Sequence, residues 1–255
     1  MKAVPQEICL LGFHAVRARV QSAPQTISRI IYDGQRKDSR LNALLKTADQ
    51  ASIKTMSDSA LSMDRMAKNQ RHQGVLAFAQ PRAQPDSLSE LIGQMDALKP
   101  KDQWLVLLDG VTDPHNLGAV LRSCDGAGVA AVIAPRDKSA PLNDVAARVS
   151  AGASDHLTYL QVTNLARAIE ELQQADYQVI GLAGEATESI YDADLTGRIA
   201  LVFGAEGEGM RRLTRERCDT LVRLPMEGSV ESLNVSVACG VCCYEALRQR
   251  RAKVK

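Results

Sequence analysis

Six short apolar runs punctuate residues 104–224: WLVLLD, AAVIA, HLTYL, YQVIGLA, IALVFG and TLVRL. Between most of them lie helical patterns, NLGAVLRSCDGAG, LNDVAARVSAG, TNLARAIEELQQAD and GMRRLTRERCD. This alternation leaves few folds open. Strands that are apolar along their whole length are buried on both faces, and helices placed between them supply the crossovers that parallel pairing requires. The segment therefore predicts a parallel sheet covered by helices. Ligands in such sheets sit at the carboxyl ends of the strands, so a site is sought in the residues just after each strand.

After WLVLLD comes GVTDPHNLGAVLRS. Asp109–Gly110 ends the strand, Pro114 stiffens the turn and Asn116 is placed to cap the helix that begins LGAVLRS. Gly118 inside that helix costs about 1 kcal/mol relative to Ala, which points to a close backbone approach. Arg122 comes four residues later on the same face. Asp109, Asp113 and His115 crowd one turn without a second cluster of ligands, so no metal is expected there.

After IALVFG comes AEGEGM, in which Gly204, Gly207 and Gly209 form G-x-x-G-x-G. The dinucleotide order is G-x-G-x-x-G and belongs to a first strand, so a nicotinamide oxidoreductase is disfavoured. Glu206 and Glu208 would repel phosphate, and a cofactor without phosphates fits better. After TLVRL comes PMEGSVESLNVSVACG. Its Ser232, Asn234 and Ser236 alternate with Leu233, Val235 and Val237 in a strand rhythm, yet VACGVCCYEALRQRR reads as a helix immediately afterwards. A Ser or Asn cap explains one such stretch. Three strand ends on one sheet, each carrying Gly and small polar residues, predict a site.

In front of the sheet, PRAQPDSLSELIGQMDALKP (residues 81–100) opens and closes on Pro and reads as a linker holding one helical turn. It separates a domain over residues 1–80 from one over residues 101–255. The front domain reads as mixed α/β, with helices in GFHAVRARVQ and SRLNALLKTADQ, strands in ISRIIYD and GVLAFAQ, and a basic loop in KNQRHQG. Residues 1–80 hold 12 Lys and Arg against 6 Asp and Glu, whereas residues 101–255 hold 17 against 21. A basic module joined to a mildly acidic one suggests a polyanion partner for the first. Aromatic residues make up 4% of the chain, too few for a broad base-stacking surface. No run approaches the roughly 18 apolar residues of a membrane span. The N-terminal apolar patch is broken by Glu7 and His14, unlike a signal peptide. Six scattered cysteines make no disulfide framework; Cys239, Cys242 and Cys243 read as buried apolar side chains, and a cytoplasmic protein is expected.

Taken in order and with their spacing, DGVTDPHNLGAVLRS, FGAEGEGM and LPMEGSVESLNVSVACG resemble the three motifs of the SpoU (TrmH) branch of the SPOUT RNA methyltransferases, over about residues 103–250. Within that family the whole chain is most similar to bacterial enzymes that methylate a 23S rRNA guanosine on its ribose 2'-oxygen; GFHAVRA and RHQGVLAF resemble their front module. The resemblance implies an α/β fold in which a parallel sheet with a C-terminal trefoil knot is preceded by a small α/β RNA-binding domain. It also implies a homodimer, S-adenosyl-L-methionine as cofactor without a metal, and a substrate in 23S rRNA or a large-subunit precursor, at a guanosine of the peptidyl-transferase loop. Residues Gly204, Leu224 and Leu233, with Met226 and Ser236, would hold the cofactor. Ser232 and Asn234 would face the reaction centre, and Arg122 would be the catalytic candidate. Asn116 would hold Arg122 or its loop, and Glu206 would orient Arg122 or an RNA group across the dimer. A guanidinium with a pKa above about 12 is an awkward base, which favours gripping phosphate and stabilising the developing alkoxide over proton removal. The alternatives are the same chemistry on tRNA or another rRNA site, or RNA binding without catalysis.

Overall fold

A computed structural model of the chain describes residues 7–36, 38–81, 84–98, 103–155 and 157–253, divided into two units, Met1–Ala83 and Gln84–Lys255. The first unit runs β1 (Ile8–Leu11), α1 (Phe13–Ser22), β2 (Ile27–Asp33), α2 (Ser39–Gln50), β3 (Thr55–Asp58), α3 (Ala60–Met66) and β4 (Val75–Ala79). Its sheet has the order β1-β4-β2-β3; β4 is antiparallel to both neighbours, and β3 is parallel to β2. Alternate side chains serve opposite faces. Ile30, Val75 and Ala77 pack with Val16 and Val20 of α1 and Leu41 and Leu44 of α2, while Ile31 and Leu76 pack with Met63 of α3. The expected helices and strands α1, β2, α2 and β4 are present. Reading by pattern missed β1, β3 and α3: both strands are four-residue edges, and β3 (TMSD) has no buried residue to mark it.

The second unit runs α4 (Leu88–Leu98), β5 (Trp104–Asp109), α5 (Pro114–Ala127), β6 (Ala131–Pro135), α6 (Asp144–Val149), β7 (Thr158–Val162), α7 (Leu165–Gln174), β8 (Gln178–Leu182), β9 (Glu188–Ser189), β10 (Ile199–Gly204), α8 (Arg212–Arg217), β11 (Thr220–Arg223) and α9 (Val235–Lys253). The strand order is β7-β6-β5-β10-β8-β11-β9, and every pair is parallel. Strand β5 is buried at all six residues. Trp104, Val106 and Leu108 join α5 and α9 in one core, and Leu105 and Leu107 join α4 and α7 in the other. Two-sided burial is why these strands read as unbroken apolar runs.

Three expectations need correction. The segment read as a linker with a single helical turn contains α4, an 11-residue helix whose Leu88, Leu91 and Met95 recur on one face and belong to the second unit's core. Flanking prolines marked the ends of this segment and hid its packing; residues 82–83 and 99–100 lie outside the described residues. The strand rhythm at Ser232–Val237 forms no strand, because the Asn234 side chain accepts from the Ser236 backbone and α9 starts at Val235. Asn116 is not the cap of α5: the helix starts at Pro114, and Asp113 caps it by accepting from the His115 backbone N–H at 2.9 Å. His156, which opened the expected run HLTYL, lies outside the described residues. Among the described residues no helix is long and apolar enough to cross a membrane.

Candidate active site

Strand order reverses between β5 and β10, where the chain has already filled one side of the sheet and begins the other. This is the switch point at which open parallel sheets hold ligands. The last residues of these two strands, Asp109 and Gly204, are register partners. Each is used to shape the loop after β10. A Cβ on Gly204 would stand 2.1 Å from the Gly209 carbonyl carbon, so only glycine lets the loop fold back over the strand end. The fold-back is closed by two backbone bonds, Ala205 N–H to Gly209 O at 3.1 Å and Gly209 N–H to Ala205 O at 2.9 Å. Asp109, with its side chain wholly buried, accepts the Arg211 backbone N–H at 2.8 Å and pairs with the Arg211 guanidinium at 3.4 Å. A buried carboxylate needs such partners. Sequence reading weighed Asp109 only as a metal ligand and missed this tie; a charged residue closing a wholly apolar strand was the available signal.

The loop presents Glu206 to the two other strand-end motifs. One oxygen of its carboxylate, Oε1, accepts from Asn116 Nδ2 at 3.1 Å, from Asn234 Nδ2 at 2.5 Å and from the Val235 backbone N–H at 3.3 Å. Asn234 Nδ2 also donates to Asn116 Oδ1 at 3.0 Å. The Val235 amide is the first of α9, so the positive end of a 19-residue helix faces the carboxylate. Ser236 fixes the far side of the Asn234 amide, its N–H and Oγ donating to Asn234 Oδ1 at 2.9 and 2.6 Å. Asn116, freed from capping, thus joins Glu206 and Asn234 across sequence separations of 90 and 118 residues.

Beside this node lies a cavity of about 670 Å³, walled by the segments after β8, β10 and β11. Gly204, Leu224, Met226 and Leu233 line it, as do Glu206 and Ser232. Its ionisable lining comprises Glu185, Glu206, Glu208 and Glu231 against Arg215 and Arg223. Glu185 and Arg215 form an ion pair at 2.5 Å, which nothing in the sequence signalled. An apolar wall with an excess of carboxylates suits a ligand that carries positive charge and disfavours one that carries phosphates.

Four expected site residues, Asn116, Arg122, Asn234 and Ser236, are not among those lining the cavity. Ser236 reaches the wall residue Glu206 only through Asn234. Arg122 is exposed on α5, away from the cavity lining, and makes no ion pair among the described residues. Gly118 on the same helix meets α6: a Cβ there would lie 2.6 Å from the Ala146 carbonyl oxygen and from Val149 Cβ, so glycine lets the two helices touch. Under the node, Cys124, Cys239, Cys242 and Cys243 are fully buried between α5 and α9. The sulfurs of Cys124, Cys239 and Cys243 lie within 4.8 Å of one another, a grouping that spacing in the chain did not reveal. Burial pushes the Cys124 and Cys242 thiols up, which keeps them neutral.

The SpoU rRNA Methylase family model matches residues 103–244, and the model for RNA 2'-O ribose methyltransferase substrate binding matches residues 9–85. The 23S rRNA (guanosine-2'-O-)-methyltransferase RlmB of Ralstonia nicotianae is 51% identical over 241 residues, which cover 94% of this chain and 95% of that protein. RlmB of Escherichia coli strain K12 is 46% identical over 243 residues, 94% of this chain and 98% of that one. Among solved structures, the SpoU methyltransferase AviRb from Streptomyces viridochromogenes in complex with the cofactor AdoMet matches with a TM-score of 0.69 at 25% identity, over 96% of this chain and 91% of that one.

Proposed function

This chain belongs to the SpoU rRNA methylase family, and on that premise we propose how its residues divide the work of methyl transfer. It is an S-adenosylmethionine-dependent methyltransferase that modifies the ribose 2'-hydroxyl of a guanosine in 23S rRNA. A trefoil knot at the C-terminal end of the sheet, as the SPOUT resemblance implies, is part of this reading. The finer reading is ours: the guanosine lies in the peptidyl-transferase loop, the enzyme works in the cytoplasm as a homodimer, and no metal takes part.

When bound, S-adenosylmethionine supplies an electrophilic methyl on a positively charged sulfur. The carboxylate excess of the 670 Å³ cavity complements that charge, and its apolar wall suits an adenosine. Gly204, Leu224, Met226 and Leu233 hold the cofactor there, and Ser236 contributes by locking the Asn234 amide. Glu206 anchors Asn116 and Asn234 through the hydrogen bonds its Oε1 accepts, so that Asn234 and Ser232 meet the ribose in a fixed orientation. Holding the 2'-oxygen in line for displacement supplies much of the acceleration. The guanidinium of Arg122 grips a neighbouring phosphate and stabilises the oxygen as its proton passes to water, while the sulfur keeps the electron pair of the broken methyl bond.

Arg122 reaches the reaction centre from a second copy of the chain. Exposed Val237 and Tyr244, 50% and 54% accessible, sit on one face of α9, and the Tyr244 hydroxyl lies against Gly126 of α5. Exposed apolar side chains grouped on one helix face are a surface that a partner can cover. Covering it would bring the α5 surface that bears Arg122 into an interface.

The observation that carries this reading is the convergence of all three strand-end motifs on one oxygen of Glu206 at the cavity wall. Incubation of the purified protein with unmodified 23S rRNA and methyl-labelled S-adenosylmethionine tests it. The label is expected on one ribose 2'-oxygen; label on a base, or none, overturns the reading.

A further inference from the structure

We propose that the groove between α1 and α2 in the first unit is a binding site for one unstacked nucleotide of the RNA substrate. The proposal rests on the reading of the substrate as rRNA. The groove measures about 520 Å³, a size suited to a small ligand. Its floor is apolar, formed by Phe13, Val20 and Leu44, all buried core residues. Its rim carries His14, Arg17 and Arg40, and no carboxylate is among its lining residues.

The charge at this rim is available. Elsewhere in the unit, the Arg19 guanidinium is buried and bonds Thr26 Oγ1 and the Gln80 carbonyl, Arg29 pairs with Glu7 at 3.0 Å, and Arg36 pairs with Asp38. Arg17 and Arg40 make no ion pair among the described residues, and both are exposed. The starts of α1 and α2 lie at one end of the groove, where the Arg36 guanidinium stands 6.0 Å from the centre of the Phe13 ring. Neither helix has an acidic residue in its first turn, and Arg36 offsets the cap Asp38 of α2. The N-terminus of α1, which has no side-chain cap, and the guanidiniums of Arg17 and Arg40 favour phosphate at this groove, whereas the first free amides of α2 are already taken by Asp38. An apolar slot flanked by cations is the arrangement that takes a splayed-out base and its adjoining phosphates.

The test uses the full chain and unmodified 23S rRNA transcript, with affinity measured across a salt series. Arg17→Ala/Arg40→Ala should weaken binding at least about 10-fold at 0.1 M salt and reduce the slope of log K against log salt by about 1.4, the value for two single-strand phosphate contacts. Ala43→Trp, which fills the groove from an exposed position without altering charge, should weaken binding about 10-fold and leave the slope unchanged, as expected from lost base contact. Thr47→Trp fills the groove from the next turn and serves if Ala43→Trp lowers the thermal midpoint. Affinity for S-adenosylmethionine should stay at the wild-type value in all of these. Wild-type affinity in the filling variants overturns the nucleotide site even if the arginine variant is weakened, and an unchanged slope in the arginine variant overturns the phosphate contacts. Failure of the wild-type protein to bind or methylate the transcript would instead strike at the rRNA reading itself.

Discussion

Two cavities among the described residues carry opposite charge. That of the second unit is walled by strand-end loops and lined by four carboxylates against two guanidiniums, whereas that of the first lies between two helices and is lined by two arginines and a histidine without a carboxylate. A formal net charge of +1 for the whole chain conceals this sorting. The difference suits the ligands proposed for them: a sulfonium is favoured by carboxylates and RNA is favoured by guanidiniums. Each cavity would be a poor host for the other's ligand, so one chain can bind a cation and a polyanion without competition between them.

A change in one cavity should leave the other's ligand undisturbed, and a change outside both should spare cofactor binding while it affects transfer. Arg122→Ala carries the largest expected effect. If its guanidinium acts on the transition state, single-turnover methyl transfer should fall about 100- to 1000-fold with cofactor affinity nearly unchanged. Near-normal transfer would remove Arg122 from the mechanism. Gly204→Ala comes next: its Cβ cannot coexist with the Gly209 carbonyl carbon at 2.1 Å, so the loop must open. Calorimetry should show S-adenosylmethionine affinity lowered at least about 10-fold, equivalent to about 1.4 kcal/mol, while rRNA affinity stays within twofold. Equal losses for both ligands would mean that the division of labour is wrong.

Smaller effects are expected at the cysteines. Treatment with a chelator should leave methyl transfer unchanged; loss of activity restored by added metal would assign a role to the Cys124, Cys239 and Cys243 cluster. Burial, with Asp219 and Asp109 nearby, pushes the Cys218 thiol up to about 12. A group with a raised folded pKa binds its proton more tightly in the native state, so its stabilising contribution is full below the unfolded thiol value of about 8.5 and declines as pH rises towards 12. The urea midpoint should therefore drop between pH 8 and pH 10, and Cys218→Ser should lessen the drop. A midpoint independent of pH over this range contradicts the burial of a neutral thiol.

The sheet of the second unit was legible because buried parallel strands must be apolar on both faces; WLVLLD and IALVFG became β5 and β10 residue for residue. The edge strands β1, β3 and β9 were not, being two to four residues long with little burial to impose a pattern. The site was legible as three places and illegible as a network. The strand-end rule located Asn116, Glu206 and Asn234, but local sequence described Asn116 as a cap, since a through-space bond to Glu206 leaves no local trace. The knot came through resemblance alone, because ordinary connection rules steer any pattern reading away from threaded chains. Arg122 is the reverse case: its motif marks it strongly, yet within one copy of the chain it stands outside the cavity.

We expect the oxygen of Glu206 that gathers Asn116, Asn234 and Val235 to organise methyl transfer without serving RNA binding. Single-turnover transfer from labelled S-adenosylmethionine to unmodified 23S rRNA, with Glu206→Ala and Glu206→Gln beside the wild type at saturating rRNA, tests it most directly. The account expects a loss of about 100-fold or more for Glu206→Ala, partial recovery in Glu206→Gln, whose carbonyl can still accept these N–H groups, and unchanged rRNA affinity in both. Transfer by Glu206→Ala at the wild-type rate, or a loss that disappears when more rRNA is added, would contradict it.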